Sequence, residues 1–129
     1  MKQLIFVYNA NSDGFSLLTD FAHKIISPST YKCNLCSLTY GNFSIKKEWK
    51  NFIQQLSVET VFLHKDEFEK LYQYQTTLPA IFMKDVDGLK QIISAQEISY
   101  CTSLNDLKLL VDQKFKQYFL LTDSADEHR

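Results

Sequence analysis

The sequence predicts a single α/β domain built on a mixed sheet of about four strands, with helices on its faces. Three observations carry that expectation. Short runs rich in β-branched and aromatic residues, at Gln3–Tyr8, Glu59–His64 and Ala80–Met83, alternate with stretches whose apolar residues recur at helical spacing. Asp87-Gly88 stands between two apolar runs and reads as a hairpin turn, so the last two strands are expected to be antiparallel neighbours. The 129 residues, 45% of them hydrophobic and 22% charged, suffice for one core, and few glycines or prolines interrupt them.

Taken in order, Gln3–Tyr8 has little polar alternation, as a central parallel strand covered on both faces would. The polar turn Asn9–Gly14 offers several N-caps, and Phe15, Leu18, Ala22 and Ile25 then recur at helical spacing, ending near Ser27 because Pro28 disfavours helix in the residue before it. From Ser27 to Phe43 no period of either kind is sustained, so this stretch is expected to be a long inserted loop. After Ser44, a candidate N-cap, the positions Ile45, Trp49, Phe52, Ile53 and Leu56 make one apolar stripe with Trp49 as anchor.

The second strand follows at Glu59–His64. Asp66 with Glu69 has the form of a capping box, and Phe68, Leu71 and Tyr72 give the helix it opens a buried face. Leu78-Pro79 then leads into the strand Ala80–Met83, and the hairpin returns through Leu89–Ile93. Ser94 with Glu97 is a second capping box for a short helix, and Leu104, Leu107, Val111, Phe115 and Tyr118 form the buried side of a long last helix. The domain is expected to span residues 1–122, with 123–129 a polar, frayed tail.

Fifteen acidic residues against fourteen basic ones leave a net charge of -1, which gives no general attraction to nucleic acid or to an anionic membrane. The apolar run near the N-terminus is too short for a signal-peptide core or a bilayer span. Three cysteines, an odd number, without an export signal point to reduced thiols and a cytoplasmic protein rather than a disulfide framework.

Chemistry is most visible in Tyr31–Gly41, where Cys33 and Cys36 form a C-x-x-C pair beside Lys32. One expectation is thiol–disulfide exchange, Cys33 attacking and Cys36 resolving, with Lys32 lowering the thiol pKa. A second is a zinc site in which Cys33 and Cys36 supply two of the four ligands a structural site needs, with His64 the most interesting further candidate and His23 and Cys101 behind it. The bland alternative is two packed, reduced thiols, since free cysteine is among the most buried residue types. Backbone amides at Ser12–Gly14 offer a place for an anion. The chain carries no nucleotide-binding or hydrolase motif, and no cofactor is expected.

The order of elements, once the insert is set aside, resembles the thioredoxin and glutaredoxin superfamily. Thr76-Thr77-Leu78-Pro79-Ala80-Ile81-Phe82 is similar to the family's segment that passes through a cis-proline into a central strand. That resemblance implies a cis Pro79, a Leu78 backbone facing a peptide or glutathione, and a protein or glutathione-like thiol partner. One departure stands out: the family's C-x-x-C opens the first helix, whereas here that place is Asn9–Gly14 and the pair follows the helix. A noncatalytic thioredoxin-like binding module, using the Pro79 edge, the Asn9–Gly14 turn and Tyr31, Tyr40 and Phe43, is therefore the alternative function.

Overall fold

The computed structural model describes residues 2–11, 34–40 and 45–127, with side chains as far as Leu121. Within them β1 (Gln3–Val7), β2 (Glu59–Leu63), β3 (Ala80–Asp85) and β4 (Gly88–Ile93) form one sheet in the order β2-β1-β3-β4. The central strand β1 is parallel to β2 and antiparallel to β3, and β3 and β4 make the antiparallel hairpin that Asp87-Gly88 predicts. Gly88 takes φ +120 at the turn, in the region that L side chains rarely adopt. This is the expected mixed α/β sheet.

Successive residues of β1 feed two separate cores, which is why the strand shows no polar alternation. Leu4, Phe6 and Tyr8 face one side, with Ile81, Met83 and Ile93. Ile5 and Val7 face the other, with Ala80 and Phe82.

Four helices meet the first core: α1 (Asn34–Thr39), α2 (Lys47–Gln54), α4 (Ala95–Ser99) and α5 (Leu104–Glu127). Trp49 anchors α2 as expected, fully buried and edge-on to Phe6 at 5.5 Å between ring centroids. Ser94 and Glu97 form the expected capping box: the Glu97 amide donates to Ser94 Oγ at 3.2 Å, and the Ser94 amide donates to Glu97 Oε1 at 2.9 Å. Leu107, Val111, Phe115 and Tyr118 are the buried side of α5, while Leu104 is only half-buried. On the second face α3 (Lys65–Leu71) packs Phe68 against Phe82.

Five expectations need correction. The stretch 27–43 is not structureless throughout, because α1 lies within it. Six residues make fewer than two turns, too short for a period to show. The cap of α3 is His64 with Glu67, two residues earlier than Asp66 with Glu69, because the chain enters the helix directly as β2 ends at Leu63. Leu71, assigned to the buried face of α3, is 64% exposed. Helix α5 runs to Glu127, through most of the segment expected to be a frayed tail. The cap of α2 is Lys46, while Ser44, the helix expected over Phe15–Ile25 and the Ser12–Gly14 turn lie outside the described residues. Among the described residues no helix is long and apolar enough to cross a membrane.

Candidate functional site

One end of the sheet collects the features that the sequence singles out. Val7 at the end of β1 is level with Leu63 of β2 and Ala80 of β3, and Ile93, the last residue of β4, is level with Ile81. The exits of β1, β2 and β4 and the entry of β3 therefore meet there, and strand ends of this kind are where α/β proteins place ligands. Backbone bonds fasten the exits: the Tyr8 amide donates to the Leu63 carbonyl and the Lys65 amide to the Ala10 carbonyl, each at 2.9 Å.

Pro79 enters β3 at this end, buried, and the Leu78–Pro79 peptide bond is cis. Just before it, Thr76 and Thr77 form one wall of a hollow of about 460 Å³. The other wall is α4 with the residue that caps it, through Ser94, Ala95, Gln96 and Ser99. Ser94 follows β4 directly, so the hairpin register brings this helix to Pro79.

The cysteine-bearing helix is tied to the end of the same short helix α4. Asn34, the first residue of α1, donates from Nδ2 to the Ile98 carbonyl at 2.8 Å and to the Cys101 carbonyl at 3.1 Å. These acceptors lie at the C-terminal end of α4, a helix only ~7.5 Å long at 1.5 Å per residue. Cys36 sits in the first turn of α1, 4% exposed in the core that also holds Tyr8 and Cys101. It is disulfide-bonded, against the expectation of reduced thiols, while Cys101 is free and buried. Cys33 lies outside the described residues.

Burial, and after it the Asp106 carboxylate, pushes the Cys101 thiol above its ordinary pKa. Its Sγ donates weakly to the Glu97 carbonyl at 3.8 Å. Cys101 is thus a packed, protonated thiol at neutral pH.

His64 caps α3 at the exit of β2. Its amide and its Nδ1 meet Glu67 Oε1 at 2.7 and 2.8 Å, and its ring centroid is 6.0 Å from that of Tyr8. The backbone bond from His64, and then its side chain, hold the Glu67 carboxyl below its usual pKa. Tyr8 is buried against Tyr40, and burial, with Tyr40 second, raises its phenol well above the ordinary value. For zinc, the described residues contain no group of three or more His, Cys, Asp or Glu side chains able to hold a metal. His23 lies outside them.

Sequence reasoning missed Asn34 and α4 as the parts that connect the cysteine helix to the Pro79 loop. Asn34 gave no signal, since its acceptors are 64 and 67 residues away. The arrangement defines a class, an α/β protein with a four-stranded mixed sheet and a cysteine helix and a cis-proline loop gathered about one short helix. Comparison with protein-family models, with curated proteins and with solved structures finds no match, so the functional reading rests on the residues themselves.

Proposed function

We propose that the chain is a thioredoxin-like thiol–disulfide protein that acts through Cys33 and Cys36 beside Pro79. One observation carries this reading: Cys36 is disulfide-bonded on a helix tied to α4, the helix that walls the hollow at Thr76 and Thr77. Cys101 is a free thiol and so is not the partner of Cys36. A mixed four-stranded sheet whose strand β3 is entered through a cis Pro79 supports the reading.

Cys36, 4% exposed, is too buried to meet a substrate disulfide first, so the attacking role falls to Cys33 and the resolving role to Cys36. The Cys33 thiolate attacks one sulfur of a disulfide partner, forming a mixed disulfide and releasing a thiolate. Cys36, once deprotonated, attacks Cys33 Sγ, closing the Cys33–Cys36 bond and releasing the second thiolate. The partner gains two electrons and the protein loses two.

Reduction of insulin or glutathione disulfide, with the protein recycled by dithiothreitol, tests the reading. Wild type and Cys101→Ser are expected to be active and Cys33→Ser inactive. Equal rates for wild type and Cys33→Ser above the dithiothreitol background would remove it. The burial of Cys36 favours a second reading, a thioredoxin-like module that binds a partner through the Pro79 edge without redox turnover. It requires all three cysteine-to-serine variants to retain the partner.

A further inference from the structure

Between α3 and Pro79 the chain runs through Tyr72–Thr77 outside any helix or strand, yet its exposure alternates as a strand's does. Tyr72, Thr76 and Leu78 are half-buried and Gln73, Gln75 and Thr77 are exposed. Tyr74, at 37% exposure, follows the inward set, its ring edge-on to Phe82 at 5.1 Å. Tyr72 itself has an extended backbone, φ -135 and ψ 141. From Gln73 to Thr77, however, no hydrogen bond is made to any described part of the protein. Five consecutive residues keep their backbone donors and acceptors open, the condition of an unpaired edge strand.

Against the inner side of this run lies a pocket of about 670 Å³, floored by Phe68 of α3 and walled by Tyr72, Tyr74 and Leu78. Lys65 and Glu69 stand at it with opposite charges, so the pocket makes no demand for an ion. Thr76 lines both this pocket and the hollow beside α4.

We propose that Tyr72–Thr77 is a strand-addition site for an extended polypeptide. The polypeptide pairs with the open backbone of Gln73–Thr77 and places one aromatic or large aliphatic side chain in the pocket between α3 and this run. A polypeptide is the ligand whose repeating amides match a repeating row of donors and acceptors. The aromatic pocket supplies side-chain choice, as in other sheet-edge recognition. Followed past Thr76, the bound chain arrives at α4, where the cysteine helix is tied. The docking itself stands without the thiol reading, and only the delivery of a partner disulfide to Cys33 rests on it.

Selection from a cysteine-free random peptide display library, on the full chain carrying Cys33→Ser, tests docking apart from thiol chemistry. Enriched peptides are expected to share one aromatic or large aliphatic residue within a β-forming stretch. They should bind at least tenfold more weakly to Gln75→Pro or Thr76→Pro, one for each edge of the run, and to Tyr74→Ala. Peptides methylated at alternate backbone amides should lose the same affinity toward the unaltered run, which covers the case of a proline variant that does not fold. The proposal is overturned by a lack of enrichment, or by peptides indifferent to both the variants and the methylation. It is equally overturned if sedimentation shows that a second copy of the chain occupies the run, as a dimer that Gln75→Pro dissociates. Peptide binding together with a redox-inactive protein would end the thiol reading and leave this one standing.

Discussion

The two faces of the sheet are closed by different means. On the first, α2, α4 and α5 bury Trp49, Ile98, Leu107 and Val111 completely, and polar contacts join elements distant in sequence. Lys114 meets Glu97 at 2.9 Å, Lys108 meets Glu48 at 3.1 Å, and Tyr118 Oη donates to Asp85 Oδ2. On the second, Phe68 fills the centre, and the polar contact at the head of α3 is local, His64 with Glu67 three residues on. The first face is tightly closed. The second leaves room beside its core, and the pocket and the unpaired run are both found there.

Truncation of the central ring on each face should expose this difference. Trp49→Ala is expected to cost ~5 kcal/mol, the upper part of the range for aromatic truncation, because the surrounding helices are tied together and cannot close over the void. Phe68→Ala is expected to cost ~3 kcal/mol, since the space it leaves merges with a pocket already open to water. Urea unfolding of the two variants measures the gap, and equal losses would mean that the second face is packed as rigidly as the first.

The Tyr118–Asp85 contact gives the first face a smaller, pH-dependent signature. The hydrogen bond from Tyr118, and after it the Asp87 amide, hold the Asp85 carboxyl below its usual pKa. A carboxyl lowered on folding contributes stability that is present above its unfolded pKa of ~3.9 and is lost as the pH falls through the folded value. Glu97 adds the same sign: burial alone would raise its pKa, but the Ser94 amide and Lys114 outweigh it. Asp85→Asn should therefore flatten the acid limb of a plot of urea midpoint against pH, and lower stability near neutrality. An unchanged acid limb would show that this tie adds nothing to the first face.

The parts legible in the sequence are those whose cause is local. Asp87-Gly88 contains the hairpin, Ser94 with Glu97 contains its cap, and Trp49 to Ile53 repeats at one helical turn, so each could be read within a few residues. The helix of Cys36 could not, because its position depends on Asn34 reaching carbonyls more than sixty residues away. The Pro79 loop was visible as a proline before a strand and, through the resemblance, as a cis-proline segment. The hollow beside it is made by α4, which the β3–β4 register brings back to that end of the sheet. Tyr72-Gln73-Tyr74-Gln75 alternates aromatic and amide side chains, but Tyr72 was expected on the buried face of the preceding helix.

Leu71 gives the smallest expected effect and tests the same comparison. Helical spacing from Phe68 puts it on the buried side of α3, and on a tightly closed face a buried leucine cut to a small side chain would cost ~2–5 kcal/mol. The structure leaves it 64% exposed, because Phe68 already fills the space over Phe82 and the chain departs from the helix at Tyr72, whose ring tilts against Phe68 at 5.4 Å. Leu71→Ser is therefore expected to shift stability by no more than ~0.5 kcal/mol, the usual range for surface positions. A loss several times larger in the same urea measurement would show that α3 presses a second side chain onto the sheet. In that case the second face is closed like the first, and the pocket beside Tyr72 and Tyr74 has no room for a guest.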